Sequence, residues 1–212
     1  MSADPTVGVG LHFPSAAPMS SSPYLLGPVM KLAGDLPSNA RVLDVGCGNG
    51  YWAGLFQRRG CTVVGIDPSP TGIEIARTTY PAGRFEQVGI SPDTLTLLGE
   101  DPFDLVVSTE VVEHLYDPPA FAAGGFAALR PGGRIVVTTP FHGRLKDAAL
   151  AVTGKFDVHH DALRVGGHIK FFSRATLERL LLEAGFCNPR FVGAGRVPHL
   201  WKSMVMAADR RT

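Results

Sequence analysis

A chain of 212 residues, 45% of them hydrophobic, is long enough for one α/β domain with a proper core. Its net charge of +1 excludes a strong electrostatic pull toward nucleic acid or an anionic membrane surface. Cys47, Cys61 and Cys187 form no C-x-x-C pair, so neither a disulfide framework nor a thiolate zinc site is expected, and a reducing, cytoplasmic setting is. The N-terminus lacks a basic stretch followed by an apolar one, and no apolar run is long enough to span a bilayer.

Residues 1–22 are rich in Pro, Ser, Gly and Ala and read as a flexible arm or a lid. Ser22-Pro23 opens a helix with Tyr24, Leu25, Val29, Leu32 and Ala33 on one face, and core packing is the expected role of the Tyr24 ring. Residues 41–45 are a short apolar run with β-branched side chains, read as a buried strand. Gly46, Gly48 and Gly50 follow, able to take positive φ and to leave bare backbone for a ligand. A helix with Trp52, Leu55 and Phe56 on one face comes next. Strand, glycine loop and helix fit either a tight βα turn or a nucleotide-like site at the carboxyl edge of a parallel sheet. The dinucleotide fingerprint G-x-G-x-x-G is not met, because the third glycine comes one residue early; Asp44, just before the loop, suits an ammonium group instead.

A second strand, 61–66, ends at Asp67, a position that faces the ligand crevice of an α/β sheet or caps a helix near Ser69. A third is expected near 84–88, with a surface turn and short helix from Ser91. The fourth, 103–108, runs into Thr109, Glu110 and the sequence through His114. On a helix, Glu110, Glu113 and His114 fall within an arc of roughly 100°. Two close carboxylates are unfavourable without a proton or cation between them, and a hard divalent ion is the obvious partner. A helix over 120–129, a turn at 130–133 and a fifth strand over 134–139 follow. The stretch 140–170 reads as an extended, polar connection holding His142, Arg144, Lys146, His159, His160, Asp161, Arg164 and His168. Ser173 caps a last helix stopped by Gly185, and strands near 190–193 and 201–206 complete the sheet.

Four ordered motifs carry a resemblance: Asp44 through Gly50, Val63 through Asp67, Phe103 through Val107, and Leu129 through Arg134. Over roughly residues 38–206 the chain resembles the class I S-adenosylmethionine (SAM) dependent methyltransferases. That resemblance implies a Rossmann-like α/β fold with a mostly parallel seven-stranded sheet and an antiparallel terminal hairpin. It implies SAM held by Asp44, Gly46, Cys47, Gly48, Gly50, Asp67, Ile90 and Thr109, with Asp67 on the ribose hydroxyls. Many members place an Asp after the third strand for the adenine amino group; Gly89 stands there instead, leaving backbone and the apolar face of Ile90. Glu110-x-x-Glu113-His114 is similar to the metal motif of the ubiquinone-biosynthesis and small-RNA 2′-O-methyltransferases. His168, at a matching offset from Ser173-Arg174, completes an implied ligand set of Glu110, Glu113, His114 and His168 for Mg²⁺ or Mn²⁺. A Glu-His pair in metal-free members, which merely shapes the pocket, is the competing reading.

The expected reaction is methyl transfer to a hydroxyl of a small polyhydroxylated acceptor, with His142 as the base and His159 and His160 as weaker candidates. The polar insert favours a sugar. The alternatives are a quinone-precursor or catechol acceptor, an RNA 2′-hydroxyl, and a SAM-binding regulator without activity. No nucleic-acid partner is expected, and a homodimer is left open.

Overall fold

A computed structural model describes residues 12–156, 163 and 166–212. His159, His160, Asp161 and Arg164 lie outside the described residues. The elements, in chain order, begin with α1 (Ser22–Ala33), β1 (Arg41–Val45), α2 (Tyr51–Gln57), β2 (Thr62–Ile66), α3 (Pro70–Thr79), β3 (Arg84–Glu86) and α4 (Thr94–Leu98). They continue with β4 (Phe103–Thr109), a 3₁₀ turn (Val112–His114), α5 (Pro118–Ala128), β5 (Leu129–Pro140), α6 (Arg144–Val152), α7 (Arg174–Glu183), β6 (Cys187–Ala194) and β7 (Ser203–Asp209).

The seven strands form one sheet in the order β3-β2-β1-β4-β5-β7-β6. β1 to β5 run parallel, while β7 is antiparallel to both β5 and β6. The Rossmann-like architecture and terminal hairpin expected from the sequence are therefore present. Alternation along the central strands sends Leu43 and Val45 to one face and Val42 to the other. The first face packs against Phe121 of α5 and Leu177 and Leu181 of α7. The second packs against Leu25 and Val29 of α1, Phe56 of α2 and Ile73 of α3. Two helical layers thus sandwich a doubly covered sheet, and its strand order reverses between β1 and β4.

Three local expectations are revised. The turn at 130–133 is absorbed into β5 as a bulge: Phe103 pairs with Leu129, Leu105 with Arg134, and Gly132 takes a φ of 77°. The connection after β5 is not extended throughout, because it contains α6. Glu110 to His114 is not a helical face: Glu110 has a left-handed φ of 56°, and only Val112–His114 form a single 3₁₀ turn. The 100° spacing therefore does not apply across that stretch.

Candidate functional site

The glycine loop follows from strand geometry. After Val45 the chain must leave the sheet sharply, and Gly46, Gly48 and Gly50 take φ of 72°, 50° and 80°. The backbone amides of Gly46 and Cys47 donate to the Ile66 carbonyl of β2 at 2.8 and 3.0 Å, holding the loop against the neighbouring strand. A pocket opens there at the carboxyl edge of the sheet, at the order reversal where ligands bind in such folds. Gly46, Cys47, Gly48 and Asn49 line it from β1, and Ile66, Asp67 and Pro68 from β2. Val88, Gly89 and Ile90 line it after β3, and Thr109, Glu110, Val111 and His114 after β4.

Most of the residues expected to hold a cofactor thus meet in one wall: Gly46, Cys47, Gly48, Asp67, Ile90 and Thr109. Gly50 and Asp44 do not line it. A Cβ at Gly50 would lie 2.9 Å from both Ala76 Cβ and the Tyr80 ring, so this glycine serves close packing against α3. Asp44 is fully buried beneath the loop, and neither carboxylate oxygen has a hydrogen-bond partner of normal geometry. Burial first and the charge of Asp67 second push its carboxyl up to about 7; the nearby Ala53 backbone offsets little of this. Asp67 is buried as well, and its carboxyl is also raised by burial. Its Oδ2 accepts from the Gly48 amide at 2.8 Å and its Oδ1 from the Ser69 amide at 2.7 Å. Asp67 therefore braces the loop and the entry to α3 while facing the pocket.

The ligand set anticipated for a metal divides. Glu113, His114 and His168 bring ligand atoms within 4.8 Å of one another. Glu113 is fully buried, neither of its oxygens has a hydrogen-bond partner of normal geometry, and burial together with Glu110 pushes its carboxyl well up, with the nearby Thr139 hydroxyl offsetting little of this. His114 Nδ1 lies 3.1 Å from the Gly167 carbonyl, and its Nε2 lies 4.0 Å from Glu113 Oε1. The Ile169 and Lys170 amides donate to the Glu113 carbonyl at 2.9 and 3.0 Å, which is how the distant His168 reaches the 3₁₀ turn. An orphaned buried carboxylate beside two imidazoles is a donor set that fits a divalent cation.

Glu110 is not in that cluster. Its left-handed backbone turns the side chain toward β5 and β7, where Oε1 accepts from Thr138 Oγ1 at 2.8 Å and Oε2 from Ser203 Oγ at 3.1 Å. Burial raises its carboxyl to about 7; Thr138, Ser203 and the charge of Lys146 work against that rise. His142 is set apart from the pocket wall. It is buried and does not line the pocket; its ring lies beside Phe171, and its Nδ1 is 3.4 Å from Asp147 Oδ1. At that separation Asp147 Oδ1 forms no hydrogen bond of good geometry.

Two features escaped the sequence. Asn49 Nδ2 donates to the carbonyls of Ser15 and Ala17, each at 2.8 Å, strapping the N-terminal segment across the pocket. Phe13 lies on the glycine loop so closely that a Cβ on Gly48 would stand 2.4 Å from its Cζ, and the Phe13 amide donates to Thr71 Oγ1 at 3.2 Å. Phe13, Met19, Ser21 and Ser22 all line the pocket. A lid was one of the two sequence readings of residues 1–22; for the contacts that hold the strap, the sequence offered no more than a polar residue between two loop glycines.

A methyltransferase-domain family model matches residues 22–188. The ubiquinone biosynthesis O-methyltransferases of Bradyrhizobium sp. (strain ORS 278) and Caulobacter sp. (strain K31) are 40% and 39% identical over 120 and 117 residues. Those alignments take in 55% and 54% of this chain and 46% of each relative, so the chain spans about half the length of the curated relatives it matches. A possible histamine N-methyltransferase from Thermotoga maritima is similar in structure, with a TM-score of 0.61 and 16% identity over 83% of this chain and 84% of that one. Haemonchus contortus phosphoethanolamine N-methyltransferase 2, in complex with S-adenosyl-L-methionine, has a TM-score of 0.63 and 15% identity over 87% of this chain and 52% of that one. At such identities the structural likenesses speak for the fold alone. With the family match across most of the domain and the glycine-loop pocket at the strand reversal, the chain belongs to the methyltransferase-domain family, as a class I SAM-dependent member.

Proposed function

We propose that this protein transfers the methyl group of SAM to a hydroxyl of a catechol-like, quinone-precursor acceptor, with a divalent cation held by Glu113, His114 and His168. The observation that carries this reading is the cluster itself. Two imidazoles and an orphaned buried carboxylate converge beside a pocket wall that also contains His114. The similarity to ubiquinone biosynthesis O-methyltransferases supports a phenolic hydroxyl over an amine. A saccharide acceptor loses its argument, because the connection read as polar exposes Leu145, Val152, Phe156, Leu163 and Ile169. With one carboxylate and two nitrogens the donor set is softer than the four-ligand set, which moves the preferred ion from Mg²⁺ toward Mn²⁺.

In this mechanism the glycine loop and Asp67 hold the cofactor, Asp67 through the lone pairs left after bracing Gly48 and Ser69. The strap of residues 12–21 acts as a lid, with Phe13 and Met19 excluding water from the reacting atoms. Bound at the cluster, the cation would lower the pKa of an acceptor hydroxyl and fix its direction. The chain supplies alignment of nucleophile and methyl group, the larger part of what such a transfer needs.

The test uses catechol, a simple hexose and labelled SAM. Methylation of catechol should stop in excess chelator and return with Mn²⁺. His168→Ala should lower Mn²⁺ affinity in calorimetry at least tenfold while SAM affinity stays within about twofold. Full turnover in chelator would remove the cation from the reading, and methylation of the hexose alone would remove the phenolic acceptor.

A further inference from the structure

We infer that the N-terminus of α1, with the Ser22 hydroxyl at its centre, is the subsite for the carboxylate at the amino-acid end of the cofactor. The assignment rests on SAM as the cofactor and extends the glycine-loop reading above. It is independent of the acceptor and of the cation.

The need for such a subsite comes from charge. SAM brings a carboxylate into the pocket along with its ammonium and sulfonium groups. Asp67, Glu110 and Asp117 line that pocket, and among the described residues no Lys or Arg does. Residues 1–30 contain no Lys or Arg either, so the arm and the first turns of α1 bring none in. A carboxylate there has to be met by neutral donors and a helix dipole.

Both are found where the arm runs into α1. Met19, Ser21 and Ser22 line the pocket, and Ser22 is the first residue of a helix of 12 residues. The first turn of a helix leaves amides unsatisfied, and its end of the dipole favours an anion. Pro23 has no amide proton, and the Leu25 amide is the first to reach a carbonyl one turn back, that of Ser21 at 3.2 Å. Ser21 stands at the cap position but makes no side-chain cap bond, so its hydroxyl is not spent on the helix.

Ser22 singles out the spot. It is 1% exposed, and its hydroxyl has no hydrogen-bond partner within the fold. That oxygen is nevertheless not sealed off, so the sliver of surface Ser22 keeps opens on the pocket it lines. Asn49 and Asp67, the other buried polar residues on the wall that carry a full polar head, are both bonded to the fold. A buried hydroxyl without an acceptor carries a desolvation cost that a ligand oxygen would offset.

Position agrees with this. Asp67 and Ile90, expected on the ribose and the adenine, follow β2 and β3 at one end of the strand order. α1 packs instead on β5, β6 and β7. Adenosine toward β3 therefore sends the amino-acid end across the glycine loop toward α1.

The experiment measures SAM and decarboxylated SAM, which keeps the ammonium and sulfonium groups, by calorimetry on wild type, Ser22→Ala and Ser21→Ala. Wild type should bind SAM at least about tenfold more tightly than decarboxylated SAM. Ser22→Ala should weaken SAM about 10–100-fold, the range of a hydrogen bond to a charged group, and leave decarboxylated SAM within about twofold. Ser21→Ala should weaken SAM by roughly threefold or more with the same selectivity, and carries the test if Ser22→Ala fails to fold. SAM affinity within about twofold of wild type in Ser22→Ala would overturn the assignment. An equal loss of both ligands would overturn it too, as the mark of a purely structural role. A wild type that binds both ligands equally well would remove the carboxylate subsite and leave SAM as the cofactor. A wild type that binds neither overturns the cofactor reading and this assignment with it.

Discussion

At the scale of single residues, the site is a place where the fold tolerates buried acid. The Asp44 carboxyl is held near 7 instead of its ordinary 3.8, and Asp67, Glu110 and Glu113 shift in the same direction, all through burial first. Between about pH 4 and 7 the folded protein keeps a proton on Asp44 that the unfolded chain has already released. Stability therefore falls as pH rises through that window, and the Asp44 contribution is complete only below about pH 4. The thermal midpoint of the ligand-free protein should drop from pH 5 to pH 8, and Asp44→Asn should flatten part of the slope, worth on the order of a few kcal/mol. A slope identical to wild type would absolve Asp44. The glycine loop was legible because all three positive-φ positions needed glycine and the sequence shows glycine. Glu110 was misplaced because the sequence does not announce a left-handed non-glycine residue, and one such dihedral sends a side chain to a different strand.

At the scale of elements, strands β1, β2, β4 and β5 were legible from short apolar runs. α6 was not: the stretch 144–152 has two cationic residues and no strong cap, as the absence of a side-chain bond at Gly143 shows. What anchors α6 is tertiary. Lys146 is buried, and its Nζ donates to the Phe141 carbonyl at 2.7 Å. The strap is tertiary in the same sense, since its grip comes from Asn49 on another element. Asn49→Ala removes two hydrogen bonds of roughly 1 kcal/mol each. SAM dissociation measured by stopped-flow should then quicken by on the order of tenfold, with the fold unchanged in circular dichroism. An unchanged dissociation rate would show that the strap does not govern release.

For the whole molecule, one sheet covered on both faces makes two half-cores that depend on each other. Phe56 and Phe121 are almost wholly buried on opposite faces. Phe→Ala at either should cost about 3–5 kcal/mol in urea unfolding, a large share of the stability of a domain this size. Because the same strands line both half-cores, each variant should still unfold in one transition, with fluorescence and circular dichroism coincident. Arg134 shows how the far edge is tied in. It bonds Asp209 of β7 at 2.8 Å and the Leu32 carbonyl of α1 at 3.1 Å, while Asp209 also holds Arg190 of β6 at 2.6 Å. The doubly wound order could be anticipated from motif spacing, but this clasp between residues about a hundred positions apart could not.

The Asn49 clamp has a consequence for what the arm is free to become. Both partners of its amide are main-chain carbonyls, at Ser15 and Ala17, and every residue type carries one. The catch is thus blind to the side chains of the segment it holds, and among the described residues it is the Phe13 ring, seated on Gly48, that adds a close side-chain contact with the glycine loop. Such a closure lets the arm be rewritten for a different acceptor or a different surface without loosening the hold on the pocket beneath.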